Sequence, residues 1–155
     1  MLDLTVLEQA MAVRAAFKIR ETMKLTQESK EPAKVQDNEL FAQMKLNMIK
    51  AHIKAIGFFL FLHQIRELNF RDKNIPPLLI DLAKIFCLKS LIEDCGAVFD
   101  SGYFAPSASK NMYSALDTLI RKMRPHLIPI MESFSVPDEI MPTSIGNSYG
   151  DIYEQ

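Results

Sequence analysis

The sequence predicts an all-α fold, because its apolar residues recur every three or four positions and signals for β-strands are scarce. Only 5 of the 155 residues are glycine, and Leu, Met, Ala, Lys and Glu dominate the periodic stretches. The length suits one domain with a substantial core. Long helices joined by short loops predict an up-and-down four-helix bundle over residues 1–135, followed by an irregular tail over residues 136–155.

The first helix is predicted from Leu2 or Asp3 to about Glu28, with Asp3 or Thr5 near its start. Pro32 prevents its continuation and predicts a loop of about eight residues. The expected core face is apolar: Val6, Ala10, Val13 and Phe17. The opposite face is basic: Arg14, Lys18, Arg20 and Lys24.

The second helix is predicted as the centre of the bundle, from Asp37 or Asn38 to Leu68. Its segment from Ile56 to Leu62 is apolar nearly all round apart from Gly57, so we expect burial on several sides. Its rhythm is carried by eight apolar residues: Leu40, Met44, Met48, Ile53, Ile56, Phe59, Leu60 and Ile65. If Phe58 and Phe61 are exposed, they mark a second side that faces another domain.

The third helix is expected to begin at Pro76 and Pro77, since the first turn of a helix tolerates proline, and to reach Asp100 or Ser101. Gly102 is its end signal. The expected core face is: Leu78, Leu82, Ile85, Ile92, Cys95 and Phe99.

The fourth helix begins after Ser107 or Ser109, either of which can cap it. Pro125 and Pro129 remove amide donors, so this helix should kink or restart near Arg124. Its apolar stripe keeps the helical spacing throughout: Met112, Leu116, Leu119, Met123, Leu127, Ile130 and Phe134.

Composition and charge exclude several classes of function. The formal net charge is -1, with 18 basic against 19 acidic residues, which disfavours a nucleic-acid partner. The run from Ile53 to Leu62 is too short for a transmembrane span, which needs about 20 apolar residues.

Cys87 and Cys95 lie about 12 Å apart on one predicted helix, too far for a disulfide, and are expected to be reduced core thiols.

Candidate catalytic and metal-binding residues do not form a site. His52 and His63 share a helical face but lie about 16 Å apart, so they cannot hold one metal ion. His63 and Glu67 are best interpreted as a structural ion pair or an exposed polar pair. Glu93 and Asp94 point in different directions on a helix and form no acid/base dyad. We therefore predict no catalytic residue and no metal ion.

The C-terminal part carries more specific motifs. Leu119-Ile120-Arg121-Lys122-Met123-Arg124-Pro125, an aliphatic run to Ile130, Glu132-Ser133-Phe134 and Tyr149-Gly150-Asp151-Ile152-Tyr153-Glu154 follow one another. In this order they resemble the C-terminal region of peroxisomal acyl-CoA oxidases. Leu2-Asp3-Leu4 with Arg14-Ala15-Ala16, and the stretch from Leu88 to Asp100, extend the resemblance over nearly the whole chain. Tyr149 and Asp151 depart from the Asp and Asn of the family signature.

The resemblance implies that the chain is the C-terminal helical domain of a longer flavoenzyme. That enzyme would use FAD and O₂ to convert an acyl-CoA to a trans-2-enoyl-CoA, releasing hydrogen peroxide in the peroxisome. Its catalytic glutamate would lie in a preceding domain, so we expect the fragment alone to be inactive. The positions carried over as structural or interface residues are: Arg124, Pro125, Phe134, Tyr149, Gly150, Asp151, Tyr153 and Glu154.

The fragment is then expected to pack on the other oxidase domains and to help form a homodimer. Its tail should dock on the bundle or on another domain through its apolar residues: Phe134, Ile140, Ile145, Tyr149 and Tyr153. The sequence leaves a free-standing helical interaction module open as an alternative. A carboxylate-bridged metal bundle is disfavoured, since it needs Glu-x-x-His motifs on two helices.

Overall fold

The computed structural model describes residues 3–135. Its long helices are α1 (Leu4–Glu28), α3 (Ala42–Glu67), α4 (Ile75–Glu93) and α6 (Ala108–Met123). Shorter elements join or follow them: α2 (Ala33–Val35), a π-helical turn (Gln36–Leu40), α5 (Cys95–Asp100), a 3₁₀ turn (Arg124–His126) and α7 (Leu127–Glu132). Residues 3–135 contain no strand, so the prediction of an all-α fold is confirmed.

Contacts between helices give the directions of three of them. Glu8, near the start of α1, pairs with Arg66 near the end of α3, so these two helices are antiparallel. Leu7 and Cys87 are in contact, and seven residues further along both helices Arg14 contacts Asp94. Helices α1 and α4 are therefore parallel, and α4 is antiparallel to α3. This is the up-down-up order expected for the first three helices of a bundle.

One hydrophobic core lies between the long helices, and α6 closes it with Met112, Ala115 and Leu119. Each large aliphatic or aromatic side chain buried there stabilises the fold by about 2 kcal/mol. The largest fully buried side chains come from five helices: Phe58, Leu7, Met11, Leu62, Leu88, Leu91, Met112, Val98 and Cys87.

Helix α3 buries a different face from the one predicted. Ile53, Ile56 and Leu60, predicted to face the core, are 62%, 44% and 57% exposed. Of the eight predicted residues only Ile65 is buried, and the other buried residues of α3 are Ala51, Ala55, Phe58 and Leu62. Both sets satisfy helical spacing, so periodicity alone could not choose between them. The two alanines leave room for neighbouring helices to approach closely.

The buried faces of α1 and of α4 with α5 are rotated by about one position from the predicted ones. In α1, Ala10 is buried as predicted, but Val6, Val13 and Phe17 are half-buried, and Leu7 and Met11 reach the centre. In α4 and α5 the predicted residues are likewise half-buried, while the deepest apolar side chains are Ala83, Cys87, Leu88, Leu91, Ala97 and Val98. In the fourth helical segment Met112, Leu119 and Met123 are buried as predicted, whereas Leu127 and Phe134 are 50% and 70% exposed.

Helix ends agree with the sequence where a local signal exists. The Asp3 side chain accepts a hydrogen bond from the Thr5 amide at 2.9 Å and caps α1. Pro76 and Pro77 lie in the first turn of α4. Gly102 has φ +75°, the left-handed conformation that suits a residue without a Cβ atom. The predicted interruption near Arg124 is confirmed by the 3₁₀ turn there.

Two predicted helix bounds are wrong. Asp37 and Asn38 do not begin the central helix, because they lie in the π-helical turn and α3 begins at Ala42. The third helix does not run unbroken to Asp100, since it ends at Glu93 and restarts at Cys95. Between them Asp94 has φ -137° and ψ 47°, outside helical geometry.

Asp94 joins this helix break to α1. Arg14 donates from Nε to Asp94 Oδ2 at 3.2 Å, and Lys18 Nζ lies 3.2 Å from Asp94 Oδ1. The Arg14 side chain is only 4% exposed, although the sequence placed it on the face opposite the expected core face. A buried cation requires a partner charge, because burial without one costs several kcal/mol.

The two cysteines differ in their environment. Cys87 is buried, with Sγ 3.6 Å from the carbonyl oxygen of Leu7, whereas Cys95 is half-buried. Burial raises the pKa of the Cys87 thiol from 9.0 to about 12, against the opposing effect of the Arg14 charge. Cys87 is thus a core thiol as predicted, while Cys95 lies nearer the surface.

The chain divides into two compact units, residues 1–121 and residues 122–155. The first holds α1 to α5 and most of α6. Of the second, the structure describes residues 122–135, with the end of α6, the 3₁₀ turn and α7. The predicted domain boundary at residue 135 and the docking of the tail stay predictions, and residues 136–155 lie outside the described range.

Replacing Asp94 should destabilise the fold far more than replacing its neighbour. Asp94→Asn removes the charge that faces Arg14, and we expect the free energy of unfolding to fall by about 2 kcal/mol. Glu93→Gln, which removes the more exposed carboxylate of the same segment, should cost less than about 1 kcal/mol. Urea unfolding of both variants measures the difference. Equal losses would contradict a special role for the Arg14–Asp94 pair.

Thiol labelling should separate the two cysteines. At pH 8 a small disulfide reagent should modify Cys95 at least about tenfold faster than Cys87, because only the thiolate reacts and burial keeps Cys87 protonated. Labelling of Cys87→Ala and Cys95→Ala, followed by mass spectrometry, assigns each rate. Rapid reaction of the Cys95→Ala variant under native conditions would show that the core around Cys87 is open.

Candidate docking surface

The polar residues considered as catalytic or metal-binding candidates remain separate. His52, His63 and Glu67 are all exposed. Within residues 3–135, no group of three or more His, Cys, Asp or Glu side chains could hold a metal ion.

Glu93 and Asp94 contact different cations. Lys54 of α3 donates to Glu93 Oε2 at 2.7 Å, whereas Asp94 contacts Arg14 and Lys18 of α1. The hydrogen bond from Lys54 is the main cause of the lowered pKa of the Glu93 carboxyl, and the Lys54 charge adds to it. The Lys54–Glu93 pair therefore stabilises the fold at pH values above the ordinary carboxyl pKa. This stabilisation is lost as the pH falls through the lowered pKa of Glu93. This is an ion pair between helices, not an acid/base dyad.

The family-like motif positions are only partly described. Arg124 and Pro125 lie in the 3₁₀ turn, and Phe134 follows α7; all three are exposed. The other motif positions lie outside the described residues: Tyr149, Gly150, Asp151, Tyr153 and Glu154.

The outer face of α3 is the most distinctive surface of residues 1–121. Five large aliphatic side chains on it are 44–62% exposed, and their spacing alternates between three and four residues: Leu46, Ile49, Ile53, Ile56 and Leu60. We call these five residues the outer stripe. At 100° per residue the outer stripe lies opposite the buried stripe of the same helix. Such spacing over two heptads is typical of a helix that packs against another helix.

An open groove lies beside the outer stripe, between α3 and α4. It has a volume of about 540 Å³. Its lining is almost entirely apolar, with one charged residue: Gly57, Phe58, Phe61, Leu82, Ala83, Ile85, Phe86 and Lys89. Phe61 and Phe86 are 37% and 43% exposed, whereas Phe58 is 1% exposed and belongs to the core. The expected second side of α3 thus exists, but Phe61 marks it and Phe58 does not.

Gly57 lies where the groove meets the outer stripe. A Cβ atom built on this glycine would meet nothing within 4 Å, so the described fold does not need a glycine here. Glycine within a helix is about 1 kcal/mol less favourable than alanine. A missing side chain allows close approach of another backbone, which is a common reason for glycine on a helix surface.

The charged residues that α3 contributes to this surface are basic, and the acidic neighbour Glu93 of α4 is paired with Lys54. From Ala42 to Arg66, α3 contains lysines, histidines and one arginine but no Asp or Glu. Lys50 lies on the same face as Gly57, two helical turns earlier. Lys89 lines the opposite wall of the groove. The surface can therefore bind an apolar ligand or partner that carries negative charge at its rim.

Sequence reasoning identified the apolar excess of α3 but not its arrangement. The signal was present as two heptad-spaced sets on one helix, with Gly57 as the exception between them. The groove itself needs α4 as a second wall, which sequence spacing does not supply.

None of the helices within residues 3–135 has the length and apolarity required to cross a membrane.

Known proteins match this chain over most of its length. The family model described as acyl-CoA oxidase matches residues 3–155. The chain is 28% identical to an acyl-coenzyme A oxidase of Debaryomyces hansenii, over 92% of this chain and 19% of the relative. It is 27% identical to acyl-coenzyme A oxidase 4 of Candida tropicalis, over 81% of this chain and 18% of that protein. The chain thus spans about a fifth of the length of these relatives.

The fold also matches a solved structure. The crystal structure of acyl-CoA oxidase 3 from Yarrowia lipolytica superposes with a TM-score of 0.80 at 24% sequence identity. The match covers 98% of this chain and 22% of that one. It shows that the two share a helical fold. Together with the family model over residues 3–155, these matches show that the chain belongs to the acyl-CoA oxidase family.

Proposed function

We propose that this chain is the C-terminal helical domain of an FAD-dependent acyl-CoA oxidase, in which its role is structural. The whole enzyme would convert an acyl-CoA and O₂ to a trans-2-enoyl-CoA and hydrogen peroxide, in peroxisomal fatty-acid β-oxidation. The family match over residues 3–155 carries this proposal. The chain's share of its relatives, about a fifth, supports a domain within a larger enzyme.

The groove beside α3 does not fit the whole FAD molecule. FAD presents a pyrophosphate and a polar ring edge, which need several hydrogen-bond donors and positive charges. The groove beside α3 offers one cationic side chain, Lys89, in an otherwise apolar lining. When bound, the flavin supplies the redox chemistry, and under this proposal other domains hold it.

Glu67, Glu93 and Glu132 are poorly suited to remove a substrate proton. Glu93 has a lowered pKa and is held by Lys54, which weakens it as a base. Glu67 and Glu132 are exposed and lie outside the groove. Glu154 lies beyond the described residues. The catalytic glutamate is therefore proposed to belong to another domain, and the isolated chain to be inactive.

The proposed structural role has two parts, packing on the other oxidase domains and support of a homodimer. The exposed outer stripe of α3 supports the first part, because a contiguous apolar surface is typical of an interface. The tail over residues 136–155 is proposed to dock on the bundle or on another domain. The alternative of a free-standing interaction module has weaker support, since the family match extends through residue 155.

Activity assays of two proteins test the proposed function. The protein encoded by the whole open reading frame should bind FAD, seen by the visible absorbance of the flavin, and release hydrogen peroxide when given acyl-CoA. The 155-residue chain should bind no flavin and give no peroxide with acyl-CoA of any length. A whole protein without flavin, or turnover by the short chain, would contradict the proposal.

A further inference from the structure

We propose that the outer stripe of α3 and the groove beside it bind an amphipathic helix with an acidic rim. This helix would belong to the part of the oxidase polypeptide outside the 155 residues, so the inference rests on the proposed function and names the partner surface. The proposal combines three observations: the spacing of the outer stripe, the position of Gly57, and the distribution of charge.

The spacing favours a helix as the partner. Residues at alternating steps of three and four form a straight seam along α3, and a second helix fits such a seam by packing its own side chains between them. The seam runs from Leu46 to Leu60, about 21 Å at 1.5 Å per residue, which is the length of about four helical turns. A partner helix of similar length would cover the whole outer stripe.

Gly57 and the groove favour close packing over loose contact. Gly57 presents no side chain on the surface, so the backbone of a partner can approach α3 there. Large apolar side chains of that partner can then enter the 540 Å³ groove between Phe61 and Phe86. The surface of a lipid bilayer would cover the outer stripe but has no rigid element to fill this groove.

Charge decides between a second copy and a different partner. If two copies met on their outer stripes, the lysines and histidines of one α3 would lie beside those of the other, with no Asp or Glu between Ala42 and Arg66 to offset them, which is unfavourable. A helix with Asp or Glu beside its apolar seam would instead place opposite charges against them. The relatives are about five times longer than this chain, and their additional length can supply such a helix.

Cysteine labelling in the whole protein tests whether the surface is covered. Ile53→Cys introduces a thiol, which we call the reporter thiol, at an exposed position where the substitution should leave the core intact. In the 155-residue chain it should react quickly with a maleimide, and in the whole protein at least about tenfold more slowly. Mass spectrometry of the modified peptide separates the reporter thiol from other thiols. Equal rates in the two proteins would overturn the proposal.

Charge reversal tests the acidic rim in the same protein. The double change Lys50→Glu and Lys89→Glu should restore rapid labelling of the reporter thiol, because it places like charges against the partner helix. Lys24→Glu, at a 71% exposed side chain of α1, is the matched control and should leave the reporter thiol protected. Protection that survives the double change would show that the covering element is not acidic.

A filled groove provides an independent variant. Gly57→Leu adds a side chain where the described fold has space, so the 155-residue chain should keep its melting temperature or gain slightly. In the whole protein the same change should speed labelling of the reporter thiol, because the leucine displaces the partner helix. Unchanged protection would exclude close packing at Gly57.

A photo-reactive amino acid incorporated in place of Ile53 in the whole protein identifies the occupant. We expect a cross-link within the same polypeptide, to a helical peptide that contains Asp or Glu. A cross-link to α3 of a second copy would overturn the choice of partner. So would protection that arises only when vesicles of phosphatidylglycerol and phosphatidylcholine are added.

The same preparations separate this inference from the proposed function. Flavin absorbance and peroxide release report on the oxidase, whereas labelling of the reporter thiol reports on the surface. An active flavoenzyme with a reactive reporter thiol would refute only the docking helix. A protein without flavin but with a protected, charge-sensitive reporter thiol would refute only the oxidase.

Discussion

The fold depends on one constraint, which is that α3 carries apolar residues on two opposite faces while α1 and α4 can bury only one. The buried stripe combines small residues, Ala51 and Ala55, with large ones, Phe58 and Leu62. The alanines permit close packing of the neighbours and the large side chains fill the space between them. The outer stripe has larger residues throughout, and burying it would force the neighbouring helices apart. Packing density therefore selects the inner face.

The break at Asp94 follows from where that packing places α1. Parallel packing of α1 and α4 brings Arg14 level with the end of α4, where its guanidinium is almost fully buried. If Asp94 were helical, its carboxylate would leave its position beside Arg14. The free-energy cost of an unpaired buried guanidinium exceeds the gain from one further turn of α4. The ion pair offsets the loss of helical hydrogen bonds at Asp94 and lets α5 begin immediately afterwards.

The elements that sequence analysis predicted well are those with local causes. Asp3, Pro76 and Gly102 act through their own backbone or the next amide, and each appears at the predicted helix end. The buried face of α3 and the break at Asp94 have distant causes. Arg14 and Asp94 are separated by 80 positions, and no window of sequence relates them. The groove beside Gly57 likewise exists only once α4 lies against α3.

Gly57 connects the fold to the proposed role. Within residues 3–135 no neighbour approaches the place of its missing Cβ, and an alanine would favour the helix by about 1 kcal/mol. The described bundle therefore gains no stability from glycine at this position. A helix packed across the outer stripe would gain, because its backbone could approach α3 more closely and bury more of Ile53 and Leu60. The local cost of Gly57 and the exposure of the outer stripe thus have one common explanation in an external helix, which is the reason for placing the interface on this face of the bundle.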